Sequence, residues 1–524
     1  MRRRDLLRAL LGTPALFACE GREAPPPLVA SMSGADHERG HRFVRDATGR
    51  WDDTPMERTR TAIVGGGPAG LAAGWWLARH GADFELFELE DTVGGTSRSG
   101  ESEVSPYPLG AHYLPLPGPE AIELRALLTE MGVLDPRGEP APTVSVREPD
   151  ERVFYRGYWY PGLYPYAGAS AHDLAQLDRF ERLLDHYAAL RDGAGNRAFA
   201  LPLARSSMDA DLMTLDRESA AAFLDRKGFT SKRLRWLCDY ACRDDYGLAL
   251  ADTSAWALLF YWVSRMEGPG SETAPILTWP AGNGALVAHL RSAVGQRART
   301  GRIVSAVVPN DEGVVLQLSD ASGARSRVLA DHCILAVPDF VRARLVPGSV
   351  EPSPYSSWLV SNLHLRDRPE ALGSEPAWDN VLYESRSLGY VSATHQRGRD
   401  FGPTIWTHYL PLLDDDARQA LLDARPAALA DAVVSDLERA HPSLRAHLDR
   451  VDLWRWGHAM VAPRPGFLEG GRRLSRRGAV VAGRIHPAHT DVSGIALFEE
   501  AFFHGTRAAA EVLAAMIEPE AAPP

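Results

Sequence analysis

RTAIVGGGPAGLAAGWWLARHGADFELFELEDTVGG, residues 60–95, is the stretch whose reading decides the fold. Residues 61–64 read as a short buried strand. Gly65-x-Gly67-x-x-Gly70 follows at once, with Pro68 and Ala69 between the second and third glycines. Residues 71–79 continue as an apolar helix, Gly81 ends it, and residues 83–87 read as a second strand closing on Glu88. The three glycines differ in what they permit. Gly65 allows the tight turn, Gly67 lets backbone N–H groups approach a pyrophosphate, and Gly70 lets helix and strand pack closely. The helix N-terminus then faces the phosphates with the positive end of its dipole. Glu88, 23 residues after Gly65, is placed to accept hydrogen bonds from a ribose 2′-hydroxyl, and its carboxylate would repel a 2′-phosphate.

The fingerprint alone does not separate FAD from NAD. The next residues, Asp91-x-x-Gly94-Gly95-Thr96-Ser97-Arg98, do. This second glycine pair resembles the flavin amine oxidase, protoporphyrinogen oxidase and phytoene desaturase superfamily. The resemblance implies that the segment runs along the pyrophosphate toward a flavin. Family members commonly have arginine where Thr96 stands, so Arg98 is expected to take over the phosphate contact. Residues 108–113, PLGAHY, resemble the approach to the isoalloxazine ring, with Gly110, Ala111 and His112 as contacts. The likeness recurs at residues 277–284, LTWPAGNG, before a helix over 285–294 and strands over 302–308, 314–318 and 332–337; there Val304 would present backbone atoms to the adenine. It recurs again at residues 479–484, AVVAGR, expected to be a terminal strand, and at residues 493–496, expected to open a helix running to about 516. Gly483, Arg484, Gly494 and Ile495 are carried over as cofactor contacts at that end.

The fold class expected is therefore α/β: a Rossmann-like FAD domain of the two-dinucleotide-binding type, with a mixed α+β substrate domain formed by two insertions. The boundaries read as a signal peptide (1–18), a flexible tether (19–57), FAD-binding parts (58–115, 271–345 and 471–524), and substrate-domain parts (116–270, mainly helical, and 346–470). The first insertion is expected to hold helices over 120–131, 171–191, 215–227 and 231–242. An aromatic cluster from Phe154 to Tyr166 reads equally as a pocket lining or cation cage and as a folded loop. In the second insertion Trp358, Trp378, Trp406, Trp454 and Trp456 read equally as cavity wall and as core. His112, His458, His486 and His489 are acid/base candidates because histidine titrates near neutral pH; His458, His489 and Trp456 stand as the candidates for catalysis. Amine oxidases of this superfamily often hold a lysine near the flavin N5. The only lysines here, Lys227 and Lys232, lie in a helical polar context, so oxidase and dehydrogenase both stay open.

Nothing in 45% hydrophobic and 24% charged residues departs from a globular protein. A net charge of −11 argues against nucleic acid as a partner. Cys238 and Cys242 lie four apart on a helical pattern without zinc-like partners, so they read as core thiols and no metal is expected. No cysteine adjoins the C-terminal flavin segments, so FAD is expected to bind non-covalently. The N-terminus, MRRRDLLRALLGTPALFAC, reads as a basic signal peptide too short to span a bilayer. Arg3-Arg4-Asp5-Leu6-Leu7 resembles the twin-arginine motif for folded cargo, and residues 16–19 resemble a lipobox with Cys19 as the lipid anchor. The expected protein is thus an exported bacterial FAD oxidoreductase, periplasmic or membrane-anchored, oxidising a C–N or C–C bond of a small molecule and passing electrons to an acceptor the sequence does not name. The alternative is a flavin-dependent isomerase or a non-redox FAD-binding protein on the same scaffold.

Overall fold

The computed structural model describes residues 28–46, 51, 54–271, 273–399, 401–414 and 416–517. The expected signal peptide and Cys19 lie outside them. Strand Met56–Val64 runs into helix Pro68–Arg79 and strand Glu85–Phe87, the order read from the fingerprint. These strands pair in parallel with each other, and Met56–Val64 pairs in parallel with the long strand Arg325–Leu335. Arg302–Asn310 and Gly313–Asp320 extend that sheet antiparallel, and Ile485–Pro487 joins Arg325–Leu335 in parallel. Helix Pro68–Arg79 is buried almost all round because it lies between this sheet and the C-terminal helix Phe498–Ile517, with Trp75 set 5.5 Å from Phe502.

A second sheet of eight strands belongs to the substrate domain and runs in the order 30–34, 448–461, 355–365, 404–412, 390–392, 379–382, 151–155, 158–161. Period-2 alternation gives it two chemically different faces. Asp379 lies opposite Glu151, and Val360 opposite Tyr409, on the side facing the FAD domain. Asn380 lies opposite Arg152 and Tyr390, on the other side. The aromatic cluster is resolved in favour of a folded hairpin: Glu151–Tyr155 and Tyr158–Pro161 pair antiparallel, with Trp159 buried.

Helices Ala171–Ala189, Lys232–Tyr246 and Ala255–Val263 build a separate core around Phe180, Phe223 and Trp256. Cys238 and Cys242 are buried free thiols there. The helix expected over 215–227 is two pieces, because Glu218 is extended and Ser219 caps a new helix, Ala220–Arg226, through its hydroxyl on Ala222 N at 3.2 Å. A second correction concerns the expected tether: Ala30–Gly34 is a strand on the edge of Leu448–Val461, and His37–Asp46 is a helix. The reason is tertiary. Ser31 Oγ donates to Asp452 at 2.9 Å, Arg39 pairs with Asp91 at 2.8 Å, and Arg42 donates to the carbonyl of Asp320 at 3.1 Å. This short clasp therefore joins the substrate sheet to the FAD domain. Among the described residues no helix is long and apolar enough to cross a membrane.

Candidate active site

One cavity of about 750 Å³ runs from the glycine fingerprint to the near face of the eight-stranded sheet. At its outer end Gly65 sits at φ +100°, where a side chain would be strained and would strike the backbone of Ala336. Gly67 is different: its φ of −72° suits any residue, and a Cβ there would meet nothing nearer than Gly95 Cα at 4.0 Å. The space in front of it is open, beside a helix N-terminus that no side chain caps. Glu88 borders the same space. Its carboxylate accepts from Gly66 N at 2.6 Å and Glu90 N at 2.8 Å, which fixes its orientation. Burial raises its pKa, and the two N–H groups oppose that rise. Val304 lines the cavity beside a β-bulge.

Further in, the loops that carry Thr96 and Gly110 are tied together: Ala111 N donates to Thr96 O at 2.9 Å, and Tyr409 OH donates to Gly110 O at 2.9 Å. Trp456 Nε1 donates to Leu109 O at 2.7 Å, and its ring with that of Trp454 carries the Arg98 guanidinium at 5.4 and 5.2 Å. Asn283 Oδ1 is buried against the cavity with no partner. An open cradle at Gly67, a fixed carboxylate at Glu88 and an orphaned acceptor at Asn283 together fit a dinucleotide lying along this end. Gly65, Gly67, Pro68, Ala69, Glu88, Gly95, Thr96, Arg98, Gly110, Ala111, His112 and Val304 all border the cavity. Gly70 and Gly94 stand behind its wall: a Cβ on Gly70 would strike Gly65 O, and Gly94 N donates to Gly66 O at 2.8 Å.

The inner end is acidic. Asp244 accepts from Tyr113 OH at 3.2 Å and Tyr261 OH at 3.4 Å, Asp379 accepts from Tyr240 OH at 3.1 Å, and Asp245 pairs with Arg265 at 2.7 Å. Glu499 is 4% exposed and its Oε1 has no partner. Four carboxylates thus face one guanidinium. Burial, reinforced by the charge of Asp245, pushes Asp244 up to about 7, and burial pushes Glu499 up to about 7. Asp379 is raised by burial and by Glu151 and Asp244. His112 stacks on Tyr409 at 4.5 Å and is pulled down to about 3 by burial, so it is neutral. The sequence reading missed all four acids. Their one visible signal was the Asp244-Asp245 doublet closing a helix otherwise read only for its cysteines.

The C-terminal contacts need correction. Gly483 and Arg484 are not at the cavity: Ala482 and Gly483 adopt positive φ of 50° and 69°, Val480 is exposed, and the chain turns there instead of forming a strand. Arg484 O accepts from Cys333 N at 2.9 Å, outside the cavity. Gly494 packs against Arg473 and Phe467, and Ile495 is buried in the helical core. The cavity wall comes instead from His489, Thr490 and residues 496–499 at the start of the last helix. His489 is held by Asp491 at 3.1 Å; burial lowers its pKa, but Asp491 outweighs this and the net shift is upward. His458 lies elsewhere on the cavity, 4.4 Å from Phe340, lowered to about 4 by burial and by Arg418. His486 is a buried structural residue between Glu511 and His332. Of the five tryptophans, Trp358 and Trp456 are wall, while Trp406 packs on the far face of the sheet.

A parallel-sheet dinucleotide cradle opening into an enclosed, aromatic and acidic chamber defines a two-domain FAD-dependent oxidoreductase. Comparison with known families narrows this. The model of the flavin-containing amine oxidoreductases matches residues 68–513, and the chain belongs to that family. Among solved structures it is similar to putrescine oxidase bound to putrescine (18% identity, TM-score 0.64) and to cyclohexylamine oxidase from Brevibacterium oxydans IH-35A (16%, 0.64). A protoporphyrinogen oxidase homologue from Exiguobacterium sp. 255-15 follows (17%, 0.58). Each comparison covers 88% of this chain and 100% of the other. No curated protein matches the sequence.

Proposed function

We propose that this enzyme oxidises the C–N bond of a small, positively charged amine with non-covalently held FAD. The observation that carries the reading is the inner chamber, where Asp244, Asp245, Asp379 and Glu499 come together and, among the described residues, Arg265 on Asp245 is the one ion pair. Buried carboxylates without cations are costly, and an alkylammonium, with a pKa near about 10, is the ligand that relieves them. FAD, when bound, supplies the two-electron acceptor for the hydride on the carbon beside nitrogen, leaving an iminium that water hydrolyses to a carbonyl compound and an amine. This chain's residues do the rest. Asp379 and Glu499 hold the cation. Asp244 Oδ2, between two tyrosine hydroxyls, accepts the proton the ammonium must shed before its lone pair is available. Neutral His112, stacked on Tyr409, forms a rigid wall, and Trp358 and Trp456 exclude water.

Neither Lys227 nor Lys232 borders the cavity, which supports an electron acceptor other than O₂. Export through the twin-arginine route, with Cys19 as a lipid anchor, belongs to the same proposal and rests on residues 1–19. Anaerobic mixing with alkyl mono- and diamines tests the chemistry: stoichiometric bleaching of the flavin supports it, and turnover with the flavin still oxidised would move the enzyme to the isomerase class. Acid precipitation should release the chromophore into the supernatant. Gly67→Val should keep the fold, since the backbone there tolerates any residue, yet abolish FAD binding by filling the cradle.

A further inference from the structure

The far face of the eight-stranded sheet holds a second cavity, of about 310 Å³, that the proposed oxidation does not use. Its floor is Arg152, which is 1% exposed. Arg152 Nε donates to Asn380 Oδ1 at 2.5 Å, Nη1 to Ser374 O at 2.8 Å and Nη2 to Tyr390 OH at 3.3 Å. The guanidinium also lies 4.0 Å from the centre of the Trp159 ring. Every one of these partners is neutral, and among the described residues no carboxylate pairs with Arg152. A guanidinium carries five N–H donors, so one remains on each terminal nitrogen. An uncompensated buried charge is expensive, and the ring contact offsets only part of that cost. The carboxylates of Glu151 and Asp379 do not supply the missing charge, because alternation along their strands points them to the opposite face.

The walls are fixed. Tyr390 stacks on Trp406 at 4.0 Å, with the planes 18° apart, and its hydroxyl lies 2.8 Å from His441 Nε2. His441 is lowered to about 3 by burial and by the charge of Arg152, so it adds no second positive charge. Arg368 borders the opening, where Glu370 and Glu375 are exposed. We propose that this cavity binds a small planar monocarboxylate, gripped through the two remaining N–H groups of Arg152 and flanked by the Tyr390–Trp406 wall. Two N–H groups in one plane match a carboxylate's two oxygens. One interior guanidinium, with Arg368 at the opening offset by Glu370 and Glu375 there, disfavours a dianion such as phosphate. The volume lies at the small end of ligand sites.

Calorimetric titration of the FAD-loaded enzyme with acetate, benzoate and inorganic phosphate tests this. Acetate or benzoate should bind one to one at millimolar concentration without altering the flavin spectrum, and phosphate at least about tenfold more weakly. Arg152→Met should weaken carboxylate binding at least about tenfold while flavin content and amine turnover stay as in the wild type. If Arg152→Met fails to fold, Arg368→Gln decides, with a severalfold weakening expected. Carboxylate binding unchanged in the deciding variant, binding that shifts the flavin spectrum equally with and without Arg152, tighter binding of phosphate, or no binding by the wild type would each overturn the proposal.

Discussion

Two strands, Glu151–Tyr155 and Asp379–Leu382, serve two chambers of opposite sign. On one side Asp379 borders the cofactor cavity and belongs to its acidic cluster, with Glu151 beside it on the same face of the sheet raising its pKa. On the other, their immediate neighbours Arg152 and Asn380 turn toward a smaller cavity where a guanidinium meets only neutral groups. A cheaper protein would have paired these charges with each other. The sheet prevents it, since successive side chains cannot reach across the plane that separates them. Keeping opposite charges apart by one residue leaves each chamber short of a counter-ion, and a ligand can supply it.

The comparison can be broken first at Asp379. Asp379→Asn should reduce kcat/KM for a cationic amine by about 30- to 150-fold, the effect of removing roughly 2–3 kcal/mol from a buried charged contact. Equal losses from Asp379→Asn and Arg152→Met would mean that the two faces act as one site. At the outer end of the same cavity, Glu88→Ala should weaken FAD by about 10- to 150-fold, or roughly 1.5–3 kcal/mol, with the fold retained and thermal stability recovered by excess FAD. Fluorescence titration of the apoprotein would measure it; unchanged affinity would remove Glu88 from the ribose.

A smaller effect follows from pH. Asp244 is raised to about 7, so it is neutral below that and charged above it, while an alkylammonium stays cationic throughout. The pH profile of kcat/KM should therefore rise through about 7 and flatten in Asp244→Asn. A rise that persists in the variant would assign the ionisation to another group. Smallest is the effect on stability. A carboxyl whose pKa is higher folded than unfolded holds its proton longer in the native state, so its contribution falls as pH rises from the unfolded value near about 4 to about 7. Asp244→Asn should then raise the apoprotein's Tm above pH 7 by about 1 °C for each 1 kcal/mol relieved, and leave it little changed in acid. Calorimetry at two pH values would show a reversed order if the cluster were stabilising.

How much of this could be read from the residues depends on how local each feature is. The fingerprint from Thr61 to Glu88 is a sequence of nearest neighbours, and its order of strand, turn, helix and strand is found, with the helix starting earlier, at Pro68, and the second strand later, at Glu85. The terminal flavin segment was misread because Val480, Val481 and Ala482 look like a strand. Two successive positive φ angles turn the chain at Ala482 and Gly483, and the strand forms at Ile485–Pro487. The acids of the inner chamber were invisible for a different reason. Asp244, Asp379 and Glu499 are far apart in the chain, and each looks like a solvated surface charge until the fold buries them together. Arg152 was hidden in the same way among tyrosines that drew attention to their rings.

The clasp at residues 30–46 adds a matter of timing. Ser31 bonds to Asp452, 421 residues away, so the contact cannot exist until the chain has been synthesised past Asp452. Asp36, whose N–H donates to Glu90, and the helix that follows bring His37 and His41 to the cavity that Glu88 also borders. The adenosine end of the cavity is thus bordered by a segment that takes its place only once its partner strand Leu448–Val461 is available. A dinucleotide taken up before that moment would gain this segment as a last wall, and one taken up afterwards would have to enter past it.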